Sequence, residues 1–167
     1  MLDTKRRQPK LLSVSASPVR KEVMKVADIL KIKGPSVKTV RPDETAKAFA
    51  EHLKDERIGA MIVSHDGSAL DGIISERDVA YGLAAYGDKL PSMSVSELMT
   101  KVVIVCKPED SILEVMNIMT QRRIRHLPVK DGEQLIGIIS IGDVLKNRLG
   151  EMQLEANVLR DVAIARR

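Results

Sequence analysis

Gly72-Ile73-Ile74-Ser75-Glu76-Arg77-Asp78-Val79 returns 65 residues later as Gly137-Ile138-Ile139-Ser140-Ile141-Gly142-Asp143-Val144. In both stretches an apolar run of strand length ends in a serine, and an aspartate follows three residues on. That pattern reads as a strand running straight into a capped helix. Working outward, Arg57-Ile58-Gly59-Ala60-Met61-Ile62-Val63 returns as Arg123-Ile124-Arg125-His126-Leu127-Pro128-Val129, and Pro42-Asp43-Glu44-Thr45 as Pro108-Glu109-Asp110-Ser111, both at an offset of 66. Val26-Ala27-Asp28-Ile29-Leu30 returns as Val95-Ser96-Glu97-Leu98-Met99 at an offset of 69. The small drift in offset places short insertions or deletions in the loops. A repeat of this kind is one supersecondary unit that need not close a core alone. Whatever the protein does is expected where the two copies meet.

Each copy reads as β-α-β-β-α. In the first, Val37–Val40 is β-prone and Thr45–Arg57 places Ala46, Phe49, Ala50 and Leu53 on one helical face. Ile58–Val63 and Leu70–Ile74 are strand-length apolar runs around the turn signal Asp66-Gly67, and Ser75 begins a helix through Leu83. In the second, Val102–Val105 is the expected first strand and Ser111–Arg122 the helix. Ile124–Val129 and Leu135–Ile139 form the hairpin around Asp131-Gly132, and a helix starts near Asp143. Short helical turns at Val26–Leu30 and Val95–Met99 precede the copies, and Tyr86–Ser94 connects them. The last helix is expected to extend to about Ala165. One apolar stripe on it runs through Leu145, Leu149, Met152, Ala156 and Leu159, a second through Leu154, Val158 and Val162. Two stripes call for burial on two sides, by self-association or by packing back on the same copy.

The divisions expected are a basic tail at 1–23, repeats at 24–86 and 92–150, and a C-terminal helix over 151–167. Residues 1–25 hold seven basic side chains against two acidic ones, while the remainder holds 20 against 21. The tail, with Ser13, Ser15, Ser17, Pro9 and Pro18, reads as disordered. It is either a contact for an anionic partner such as nucleic acid or lipid, or a solvated leader ahead of Met24. Aromatics make up 2% of the chain, too few to build the stacking platforms of single-stranded nucleic-acid binders. One cysteine, Cys106, excludes an internal disulfide. No apolar run reaches the roughly 20 residues of a membrane span, so a cytoplasmic location is expected, with no membrane association. His52, His65, His126 and Cys106 lack metal-ligand spacing. No phosphate-binding glycine loop or nucleophile–base arrangement is visible, so no catalytic residue and no metal are expected.

The duplicated G-I-I-S-x-x-D segment and Arg125-His126-Leu127-Pro128-Val129 resemble the CBS domain family, over roughly residues 24–150. The resemblance implies an α/β (α+β) fold, with two β-α-β-β-α repeats packed about a pseudo-twofold axis as a stand-alone Bateman module. It implies a homodimer, a regulatory role toward an unnamed partner or its own assembly, and adenosine nucleotides (AMP, ADP or ATP) bound between the copies without a catalytic cofactor. Sensors of NAD(H) or S-adenosylmethionine are the alternatives within the family. A nucleic-acid-associated or scaffold protein acting through the tail is the alternative outside it.

Ser-x-x-Asp has two readings. It is a capping box, and it is also a strand-to-helix turn whose N–H groups suit a phosphate and whose carboxylate can accept from ribose hydroxyls. Arg125 and His126 interrupt a strand where the first copy has Gly59-Ala60, and a guanidinium fork suits phosphate. Carried over from the family, one cleft combines Ile138, Ser140, Asp143, Arg125 and His126 with Ser36, Lys38, Ile58 and Gly59. The other combines Ile73, Ser75 and Asp78 with Ile104 and Ile124, with Arg77 standing in for the missing Arg-His pair. The first is expected to be the better site.

Overall fold

The computed structural model describes residues 23–34 and 37–165. The tail before Val23, and Ser36, lie outside the described residues.

The first copy forms a three-stranded sheet in the order β1-β2-β3: β1 (Thr39–Val40) is parallel to β2 (Ala60–Val63), which is antiparallel to β3 (Gly72–Ser75). Between β1 and β2 runs α2 (Ala46–Glu56), whose N-cap Thr45 hydroxyl accepts from the Ala48 N–H at 3.2 Å. The turn after β2 is organised by Asp66, whose Oδ1 accepts from the Ser68 and Ala69 N–H groups. β3 passes directly into α3 (Glu76–Tyr86). A 3-10 segment, Gly87–Ser92, and a one-turn helix, α4 (Val95–Leu98), lead into the second copy.

There α5 (Ile112–Arg122) is capped by Ser111, and β4 (His126–Asp131) and β5 (Gln134–Ser140) form a hairpin before α6 (Ile141–Ala165). Val102–Val105 is not a strand. Its place in the sheet is taken by a single parallel bridge, Cys106 with Val129. Val102 is 89% exposed, because this stretch runs along the boundary between copies instead of pairing along β4. Likewise only Thr39–Val40 of the expected Val37–Val40 pairs as a strand. A β-prone run becomes a strand only where a neighbour supplies a ladder.

The leading helices are exchanged between the copies. α1 (Val26–Lys33) inserts Val26 and Ile29 into the core of the second copy, among Cys106, Ile112, Val115, Leu127 and Ile139. α4 inserts Val95 into the first copy's core, among Val40, Phe49, Met61, Val63 and Ile74. The backbone repeats the exchange bond for bond. The Val26 and Ala27 N–H groups donate to the Asp110 and Pro108 carbonyls, as those of Val95 and Ser96 donate to Glu44 and Pro42. The Ile112 N–H donates to Met24 O, as Ala46 N–H does to Met93 O. Each exchanged helix thereby satisfies first-turn donors that have no partner within the helix. α6 is one continuous helix of 25 residues. It packs back on its own copy through Ile141 and Val144, while Leu145, Leu149, Met152, Leu154 and Leu159 stay exposed.

Candidate functional site

The site is built at the two strand-to-helix turns. Ser75 ends β3 and caps α3, with Asp78 Oδ2 accepting from the Ser75 N–H and hydroxyl, both at 2.7 Å. Ser140 ends β5 and caps α6, with Asp143 Oδ2 accepting from the Ser140 N–H and hydroxyl, both at 2.8 Å. Both turns are therefore capping boxes. What differs is what else reaches each carboxylate. Lys33 Nζ donates to Asp143 Oδ2 at 2.9 Å and to the Ile138 carbonyl at 3.0 Å. Among the described residues no cation bonds Asp78, and the hydrogen bonds it accepts from Ser75 both go to Oδ2.

A cavity of about 340 Å³ opens at the first turn. Ile73, Ser75, Arg77 and Asp78 line it from the first copy, and Ile104, Ile124, Arg125 and His126 from the second. All six residues expected for that cleft are brought together. Thr100, Val102, Val103 and Arg122 line it too and were not foreseen. Only Arg122 carried a signal: a basic residue ending α5 where Glu56 ends α2.

Arg125 and His126, expected beside Ser140 and Asp143, line the cavity at Ser75 and Asp78. Arg125 lies just before β4 and reaches across the boundary to pair with Glu76, on the first turn of α3. Its counterpart in the repeat, Gly59, faces the His126 ring and Glu76. A Cβ added to Gly59 would stand 3.2 Å from the His126 ring. His126 sits centrally, near Gly59 and Glu76, and feels charges of both turns. Its burial, and then neighbouring Arg125, hold its imidazole below the ordinary range, so it is neutral at pH 7.

Of the other residues assigned to the second-copy cleft, Lys38 pairs with Glu56 at 3.0 Å and Ile58 packs against the first copy's core. For Asp143, burial opposes ionisation, but the Ser140 N–H, the Lys33 ammonium and the Ser140 hydroxyl outweigh it and hold the carboxyl below the usual range. The two clefts thus differ in charge. Lys33 is matched to Asp143 itself and Lys38 to Glu56, while Lys146 lines a cavity with Lys33 and Asp143. Around Asp78 stand three guanidiniums. Arg77 is bonded to the Arg123 carbonyl and Arg125 to Glu76, and Arg122 has no partner among the described residues. Such a surface attracts an anion.

Cys106 is no part of either turn. Burial, and then Asp110, push its thiol up to about 12. Among the described residues no three His, Cys, Asp or Glu side chains converge to hold a metal ion. No helix among them is long and apolar enough to cross a membrane.

The family model for the CBS domain matches this chain twice, over residues 26–85 and 95–150. A CBS domain-containing protein of Arabidopsis thaliana, CBSX3, mitochondrial, is 34% identical over 129 residues, which are 72% of this chain and 63% of that protein. The chain therefore matches less than two thirds of that relative's length. The crystal structure of a CBS-domain-containing protein from Agrobacterium tumefaciens superposes with a TM-score of 0.73 at 41% identity, covering 77% of this chain and 96% of that one. A CBS domain pair solved with 5′-methylthioadenosine and S-adenosyl-L-methionine superposes with a TM-score of 0.67 at 25% identity, over 77% and 98% of the two chains. With both copies matched and the pair superposing as a unit, this chain belongs to the CBS domain family as a tandem pair, a regulatory ligand-binding module.

Proposed function

We propose that the chain senses an adenosine nucleotide, AMP, ADP or ATP, in the cleft at Ser75 and Asp78, and transmits its occupancy to a partner protein or to its own assembly. The observation that carries this reading is the guanidinium-lined cavity of about 340 Å³ at a capped helix N-terminus, within the size range of small-molecule sites. In this reading Asp78 Oδ1 accepts from the ribose and Arg122 takes the phosphates. Ile73, Val103, Ile104 and Ile124 supply apolar cover for the base. The related pair solved with 5′-methylthioadenosine and S-adenosyl-L-methionine supports the adenosine. The guanidiniums favour phosphate over a sulfonium cation. An NAD(H) pyrophosphate would satisfy the same charges and is the second reading. A nucleic-acid role rests on the tail, which lies outside the described residues.

Leu145, Leu149 and Met152 of α6 are exposed, and a homodimer that covers them is the assembly proposed. Calorimetric titration with AMP, ATP, NADH and S-adenosylmethionine tests the ligand. The expected result is saturable binding of AMP or ATP without turnover, lost in Asp78→Ala. Binding of S-adenosylmethionine with none of either nucleotide would overturn it. Sedimentation of a clean 18.5 kDa monomer at tens of micromolar would remove the homodimer.

A further inference from the structure

The two copies satisfy the same strand carbonyl in different ways. In the first, Ile73 exchanges backbone hydrogen bonds with Thr100, whose N–H donates to Ile73 O at 2.9 Å. Ile138 is the matching residue of the second copy, and its carbonyl accepts from the Lys33 side chain instead, at 3.0 Å. The same ammonium also holds Asp143 at 2.9 Å. The sequence accounts for the difference. The repeat offset falls from 69 at Val26–Leu30 to 66 at Pro42, so the first copy carries three extra residues after Leu30, where its leading helix continues. α1 runs eight residues, to Lys33, where α4 runs four, to Leu98. At the helix offset the counterpart of Lys33 is Val102, an apolar residue lining the open cleft.

We propose that Lys33 is a built-in competitor for the Ser140–Asp143 cleft. It occupies the carboxylate that a ribose would use there, and makes the two clefts of one chain unequal. The Ser75–Asp78 cleft fills alone, and the other fills only when Lys33 is displaced. This rests on the nucleotide reading above. It adds that a chain with two matching turns takes up one equivalent of nucleotide over a range in which two sites of equal affinity would both fill.

Lys33→Met keeps most of the stem and removes the charge, and α1 packs through Val26, Ile29 and Leu30. Titrating AMP and ATP in parallel into both proteins should give one equivalent for the native chain. For Lys33→Met it should give two, the new site tightening by about tenfold, the scale of one lost charge-assisted competitor bond. Adding Asp78→Ala to Lys33→Met should return the count to one. In NMR of the unliganded proteins, the Asp143 carboxyl should titrate at higher pH in Lys33→Met than in the native chain. Two equal sites in the native chain, one site in Lys33→Met, or an unchanged Asp143 titration would each overturn the competitor while leaving the nucleotide reading standing. Binding of neither AMP nor ATP by either protein would remove both.

Discussion

Ile29→Ala should loosen strands that lie about a hundred residues further along the chain. Ile29 is on α1, ahead of the first repeat, yet it is 2% exposed within the second copy's core beside Cys106, Ile112, Leu127 and Ile139. Truncation leaves a cavity among side chains that cannot all close in, and Ile→Ala at such a site costs about 2–5 kcal/mol. Taking about 3 kcal/mol, the midpoint of thermal unfolding should fall by roughly 6–12 °C for a chain of this size. Hydrogen exchange locates the loss. Amides of Leu127 in β4 and Ile139 in β5 should lose protection together with α1. Val95→Ala should do the mirror image, opening β2 and β3 around Met61 and Ile74. If Ile29→Ala freed only the α1 amides and left β4 and β5 as protected as before, the exchange of leading helices would not bind the copies as described.

Arg122→Ala should weaken ATP about ten- to hundredfold by removing a charge-assisted bond, and more than Arg125→Ala does, because Arg125 is already engaged by Glu76; the reverse order in a titration would contradict the assignment. Gly137→Ala should destabilise by about 1–3 kcal/mol in urea unfolding, since its Cβ would stand 2.5 Å from Leu30 Cδ2 where α1 crosses β5. Acid should act partly through His126. Its folded imidazole takes up a proton only below the ordinary value of about 6.5 that holds in the unfolded chain. The unfolded state therefore binds more protons as pH falls through that range, and stability falls with it. Urea midpoints at pH 7 and 5 should differ more for the native protein than for His126→Gln, and equal differences would discount the histidine. Cys106, with its thiol pushed to about 12, should resist a disulfide reagent at pH 8 until the chain is unfolded.

Much of this fold is legible locally. Thr45 and Ser111 cap the helices where hydroxyls precede apolar-periodic runs, and Ser75 and Ser140 end strands that turn directly into helices. The repeat itself places the two turns. What escapes the sequence is set by contacts distant along the chain. Val102–Val105 has strand composition, but no ladder partner runs beside it. α1 and α4 are amphipathic wherever they dock, and nothing local says that each docks on the other copy. Arg125 sits in the same copy as Ser140 and Asp143, and only the packed pair reveals that its long side chain reaches Glu76. Lys33 at a helix end reads as a solvated charge. Its bond to Asp143 depends on a three-residue insertion after Leu30, where α1 runs on past the length of α4, and that has meaning only once the copies are superposed.

Co-crystallisation with ATP tests the central claim most directly. The nucleotide should lie in the cleft between the copies with its ribose against Asp78 and its phosphates toward Arg122, and with Lys33 still on Asp143. ATP bound at Ser140 and Asp143 with Lys33 displaced and the Ser75–Asp78 cleft empty, or bound away from both turns, would contradict it.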